Sequence, residues 1–139
     1  MIPNDQVKEG IVTYLRANAS LTALLPDGVQ GVREQYWRGQ DFKYPNVRVQ
    51  LETQFDATPE TNCTPTIQTW TVYVFSEKHS SQEADTIAGL IVDYLRGSTF
   101  TVKTVKFSNV KVLESIPAVP EDERTWRAQL RCQSIIYEV

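Results

Sequence analysis

Histidine and cysteine are scarce in this sequence. Its 139 residues include one histidine, His79, and two cysteines, Cys63 and Cys132. A structural zinc site needs four ligands, usually in short local pairs, and these three residues do not have that spacing. A catalytic triad needs a histidine that meets both a nucleophile and an orienting group in space, which the adjacent Ser80 does not provide. We therefore predict no metal, no cofactor and no catalytic residues, and we interpret the cysteines as reduced thiols.

The sequence also lacks an excess of positive charge and any long apolar run. It carries 14 Lys and Arg against 17 Asp and Glu, a net charge of −3. Binding of DNA by clustered basic side chains derives its energy from counterion release, so this balance argues against such a binder, yet it permits a pore through which DNA slides. Residues 1–5 do not resemble a signal peptide, and no run approaches the roughly 20 apolar residues of a membrane span. We expect a cytosolic protein without membrane contact.

Two other site patterns are missing or weak. The six glycines are scattered and none precedes Lys-Ser or Lys-Thr, so there is no phosphate-binding loop. Glu121, Asp122 and Glu123 are consecutive carboxylates, but they lack the spacing of a calcium loop. We expect them to be solvated or to make a charged contact with a partner. These absences together predict that the protein is not an enzyme.

The apolar periodicity predicts two main helices in a single domain, residues 1–139. The first helix covers 5–18, with Asn4 or Asp5 as its N-cap. A short helical turn at 21–25 follows it. The second main helix follows Ser80, which together with Glu83 fits a capping box, and it ends before Gly97.

Runs of β-forming residues predict the strands. They lie at 28–34, 47–54, 66–76, 100–114 (as one or two strands) and 125–139, and the loops between them cover 35–44, 55–65 and 116–123. We expect antiparallel pairing of 47–54 with 66–76 and of 110–114 with 125–137. The run 66–76 has large side chains on both faces, which indicates a central strand that is covered on both sides, or that is covered on one side by a neighbouring subunit. The predicted fold class is α+β: two layers, with a mostly antiparallel sheet and the two main helices packed on one of its faces.

Polar side chains alternate with apolar ones on two of these strands. Arg48, Gln50 and Glu52 lie on one strand, and Arg127, Gln129, Arg131 and Gln133 lie on the other. A sheet with one solvated face explains this pattern simply. The alternative is that the face meets a neighbouring subunit or lines a channel, because long Arg and Gln side chains suit a wet interface.

The loop at 35–44 is unusually aromatic. It contains Tyr36, Trp37, Arg38 and Phe42, and aromatic residues and arginine are enriched where binding energy concentrates. Either this loop is a contact patch, or Trp37 and Tyr44 fold back to cover the core.

The order and spacing of several segments resemble a known family. The segments are 11–15, 21–25 (LTALL), 44–49 (YPNVRV), 70–76 (WTVYVFS), the helix at 81–95, and 126–131 (WRAQLR). Over nearly its full length the chain resembles the small tail-completion, or tail-terminator, proteins of long-tailed bacteriophages and prophages.

The resemblance implies a structural virion protein assembled in the host cytoplasm. It implies a homo-oligomer, a hexameric ring that caps the tail tube at its head-proximal end and ends its polymerisation. The ring partners would be the tail tube protein and a head-completion protein, and DNA would pass through the lumen without sequence-specific binding. The alternatives are a head-closure or connector ring protein, a minor tail component, a non-viral protein-binding module that uses the aromatic loop, and, least favoured, a small enzyme.

Overall fold

Six strands form one mixed sheet in the computed structural model, which describes residues 2–39, 43–56 and 65–139. The elements in chain order are α1 (Asn4–Arg16), α2 (Ala19–Thr22), a 3-10 turn (Gly28–Gly31), β1 (Val32–Glu34), β2 (Asn46–Asp56), β3 (Thr66–Ser76), α3 (Gln82–Leu95), β4 (Phe100–Val102), β5 (Val105–Pro120) and β6 (Trp126–Glu138). The strand order is β1-β2-β3-β6-β5-β4. The β1–β2 pair is parallel and the other four pairs are antiparallel.

Both main helices bury their apolar stripes in one core. α1 contributes Val7, Ile11 and Leu15, and α3 contributes six residues that include Ile87 and Ile91. α1 contacts β1, β2, β4 and β5, whereas α3 contacts β3, β5 and β6. The α+β class is therefore confirmed. The sheet is mixed rather than wholly antiparallel and curls into a half-barrel, so the plain two-layer description stays a prediction.

The central position of β3 is confirmed. Its bounds are those expected, and it pairs with β2 on one side and with β6 on the other. Trp70, Val72 and Val74 point into the core and are fully buried. Thr69 and Thr71, on the opposite face, are also buried. Both faces of this strand are thus covered within one subunit.

The predicted helix caps are wrong in detail. Pro3 occupies the N-cap position of α1 with no side-chain cap, and its carbonyl accepts the first backbone bonds of the helix, from the N–H groups of Gln6 and Val7. Ser81 rather than Ser80 precedes α3, and the Glu83 carboxylate accepts a bond from Ser76 Oγ at 2.8 Å instead of closing a capping box. The end of α3 is as expected, since Gly97 has a φ of +73° just past the helix.

Two strand boundaries also differ from the prediction. Residues 28–31 form a 3-10 turn, so only Val32–Glu34 of the predicted 28–34 strand is extended. β5 continues through the predicted loop to Pro120. Past Phe107, β4 no longer covers its outer edge, and proline is tolerated on such an edge because no ladder bond is lost there. Pro117 lies within an irregularity of the β5–β6 register, between Ile116 and Val119.

Candidate functional site

The strand register brings the predicted polar residues onto one face of the sheet. Arg48 and Gln50 of β2 lie opposite Tyr73 and Thr71 of β3. The same two β3 residues lie opposite Gln129 and Arg131 of β6, and Phe75 lies opposite Arg127. Side chains of directly opposed residues point to the same side. We call this surface the polar face; its members are Arg48, Gln50, Glu52, Thr69, Thr71, Tyr73, Phe75, Arg127, Gln129, Arg131 and Gln133.

Hydrogen bonds connect the β2 and β3 parts of the polar face. Tyr73 Oη donates to Gln50 Oε1 at 3.1 Å, and Gln50 Nε2 donates to Tyr36 Oη at 3.4 Å. Thr71 Oγ1 donates to the Glu52 carboxylate. These bonds satisfy polar groups that the curled sheet partly removes from water.

Two arginines of the polar face form ion pairs within the subunit. Arg127 Nη1 lies 3.0 Å from Glu121 Oε2, and Arg131 Nε lies 3.5 Å from Glu52 Oε2. Paired charges of this kind leave little net field. Around Arg127 and Arg131 the surface can therefore meet a polar protein surface, or border a channel, without strong attraction for a polyanion.

Aromatic rings lie beneath two of the arginines. The Arg127 guanidinium is 5.7 Å from the centre of the Tyr73 ring, and that of Arg48 is 5.5 Å from the Phe75 ring. Burial raises the pKa of Tyr73 from its usual value, although the nearby Arg127 opposes the shift. The phenol therefore stays neutral and serves as a hydrogen-bond donor to Gln50.

The aromatic loop divides into an outward and a half-buried part. Tyr36 is 72% exposed, and its bond with Gln50 joins the loop to the polar face. Trp37 is half-buried with the Arg33 guanidinium 4.1 Å from its ring centre, and Arg38 is exposed. The remaining candidate, Phe42, lies outside the described residues. Trp37 thus partly folds back, whereas Tyr36 and Arg38 are available for contact.

Among the residues that the structure describes, no catalytic arrangement forms at the one histidine. His79 and Ser80 line a cavity of about 450 Å³ with Leu24 and Glu83. Glu83 is already bonded to Ser76, and Ser80 Oγ accepts from the backbone of Gln82 at 3.4 Å. Within the described ranges, no cluster of three metal-binding side chains occurs and no helix is long and apolar enough to cross a bilayer.

The acidic cluster has structural roles. Asp122 Oδ1 accepts from the backbone N–H groups of Arg124 and Thr125 at 2.8 and 2.9 Å, which closes the β5–β6 turn. The bond from the Arg124 backbone is the main reason why the pKa of Asp122 is lowered. Glu121 pairs with Arg127, and this pairing could not be read from sequence spacing.

Sequence reasoning missed Tyr73 and Phe75, together with Thr69 and Thr71, as members of the polar face. The only available signal was the density of large side chains on both faces of 66–76. That density indicated a covered strand but not which side chains cover it.

Comparisons with known proteins agree with this architecture. The family described as tail completion protein gp17 matches residues 9–137. A solved chain from the virion of a native gene transfer agent particle has a similar structure, with a TM-score of 0.74, 18% sequence identity and 95% of each chain covered. No curated protein matches the sequence at a significant level. Because the family match spans nearly all of the chain, the protein belongs to the tail completion protein gp17 family and is a structural protein of a phage-type tail.

Proposed function

We propose that this protein is a ring subunit that caps the tail tube, ends its polymerisation and forms the tail side of the head–tail joint. The observation that carries the proposal is the tail-completion match over residues 9–137. A chain of the same fold in a gene transfer agent virion supports it, because the likeness covers 95% of each chain and the two chains are therefore of similar length.

The proposed assembly is a homo-oligomer, a hexameric ring, that contacts the tail tube protein and a head-completion protein. The polar face and the aromatic loop supply candidate contacts. Arg48, Arg127 and Arg131 provide donors for a wet interface, and the exposed Tyr36 provides an aromatic anchor beside them. Each subunit of a ring needs two different patches, and these adjoining surfaces are candidates for one of them.

The proposed place in the virion is the head-proximal end of the tail, with DNA passing through the lumen. The net charge of −3 and the arginine–carboxylate pairs of the polar face support passage rather than retention. A lumen that bound phosphates strongly would slow a sliding duplex.

A tube-growth assay tests the proposed function. Tail tube protein would be polymerised alone and with increasing amounts of the purified chain, and tube length would be measured by negative-stain imaging. We expect shorter tubes with a ring at one end. Binding to isolated head connectors with no effect on tube length would instead indicate a head-closure protein and would contradict the proposal.

Light scattering over a range of protein concentrations complements this assay. A ring with a central hole, seen in solution or only on tubes, supports the proposal. A chain that stays monomeric in solution and leaves no ring on tubes contradicts it.

A further inference from the structure

The outer edge of β5 is a partly apolar surface without a strand beside it. β4 pairs only with residues 105–107 of β5, and from 111 to 120 β5 pairs with β6 alone among the residues that the structure describes. Three large apolar side chains are exposed along this stretch: Leu113 at 46%, Ile116 at 37% and Val119 at 42%. Exposed apolar side chains grouped on one edge indicate a contact surface.

Carboxylates outnumber basic residues in the sequence around these apolar side chains, although Arg127 of β6 lies opposite Val119 and pairs with Glu121. Residues 113–123 contain four carboxylates (Glu114, Glu121, Asp122 and Glu123) and no lysine or arginine. The Ala118 N–H donates to Asp85 Oδ1 at 2.8 Å, so α3 holds the end of this strand in place. We call Leu113, Ile116, Val119, Glu121 and Glu123 the tip patch.

An aromatic and basic surface lies directly after β1, the strand at the other edge of the sheet. Tyr36 is exposed, Trp37 is half-buried and Arg38 is exposed. Arg33 adds a second positive charge, while Lys8 pairs with the nearby Glu34 at 3.1 Å. We call Tyr36, Trp37 and Arg38 the turn patch.

We propose that the turn patch of one copy of this chain binds the tip patch of the next copy. The two patches are complementary in chemistry, because aromatic rings with arginine meet aliphatic side chains with carboxylates. They lie at opposite edges of one sheet, so the contact is heterologous, and repeated contacts of this kind form a ring when the rotation between neighbouring copies closes. This inference rests on the proposed ring function and names the surfaces that close the ring.

Charge reversal followed by mixing tests the pairing. Arg38→Glu and Glu123→Arg each place like charges across the contact, so each variant alone should need a protein concentration at least roughly tenfold higher to assemble. In an equimolar mixture, the two variants can alternate around the ring. Each contact between different variants then joins either the two reversed charges or the two original charges, so opposite charges meet at every such contact. The mixture should therefore regain wild-type assembly, measured by light scattering and imaging, or on tail tubes if assembly needs that template.

Matched controls separate the contact from general charge effects. Arg96→Glu and Asp93→Arg make the same charge changes at exposed positions near the end of α3 that belong to neither patch, and should assemble like the wild type. Circular dichroism would verify that all four variants are folded.

The outcomes distinguish this inference from the proposed function. If the wild type forms rings and both patch variants form them equally well, or if mixing does not rescue them, the pairing of the two patches is wrong. If the variants assemble normally but lose binding to tail tubes, the patches bind the tube protein and the pairing is again wrong. If the wild type forms no ring even on tubes, the proposed function itself fails.

Discussion

Replacing Gly10 by alanine should destabilise the protein although it improves the helix. Gly10 lies inside α1 and is buried. A Cβ at this position would lie 2.6 Å from Phe107 Cε1 and 2.9 Å from Cζ, distances that real Cβ contacts do not reach. The absent side chain is what allows α1 to approach β5.

Two opposing terms determine the size of the effect. Alanine in a helix interior is favoured over glycine by about 0.5–1 kcal/mol. Overpacking a core costs about 1–3 kcal/mol when the neighbour cannot move. Phe107 is fully buried, stacked on Phe100 at 4.6 Å and edge-on to Trp70 at 6.2 Å between ring centres, so it has little freedom to move. We expect a net loss of roughly 1–2 kcal/mol in the free energy of unfolding.

Gly89→Ala is the matched control. Gly89 lies inside α3 and is exposed, and a Cβ added there would have no neighbouring atom within 4 Å. This change should raise the free energy of unfolding by about 0.5–1 kcal/mol. Urea titration followed by circular dichroism measures both variants. If Gly10→Ala stabilises the protein as Gly89→Ala does, the close approach of α1 to Phe107 is wrong.

Three further changes test the polar face, a helix cap and the core. Arg127→Glu combined with Arg131→Glu should keep the fold, because partly exposed ion pairs contribute about 1 kcal/mol or less each to stability. The double variant should nevertheless show weaker self-association in light scattering. Unchanged assembly would reject the polar face as a contact surface. Asn18 Oδ1 accepts from the first amides of α2, so Asn18→Ala should lower the unfolding free energy by about 1 kcal/mol, and equal stability in urea would contradict this cap. Burial raises the pKa of Cys132 to about 12. In a Cys63→Ser variant, iodoacetamide should therefore label Cys132 only when the protein unfolds. Rapid labelling of the native protein would show instead that the thiol is accessible.

The sequence alone was sufficient to predict those features that depend on the pattern of neighbouring residues. The alternation along 126–133 predicted the buried side of β6, and Ala128, Leu130 and Cys132 are fully buried. The run 66–76 was expected as a central strand and is one. Strand periodicity and the end of α3 at Gly97 depend on residues that are close together in the chain, so the sequence predicts them without knowledge of the tertiary structure.

The tertiary structure determines the partner of a polar group when several partners, distant in the sequence, are possible. Glu83 fits a capping box in sequence, yet its carboxylate bonds Ser76 because β3 ends beside α3. β5 extends through two prolines because its outer edge there has no strand to bond among the described residues. Periodicity along each element thus specifies which of its residues are buried and which are solvated. Which of these residues meet one another depends on strand order and register, because such contacts join segments that are far apart in the chain.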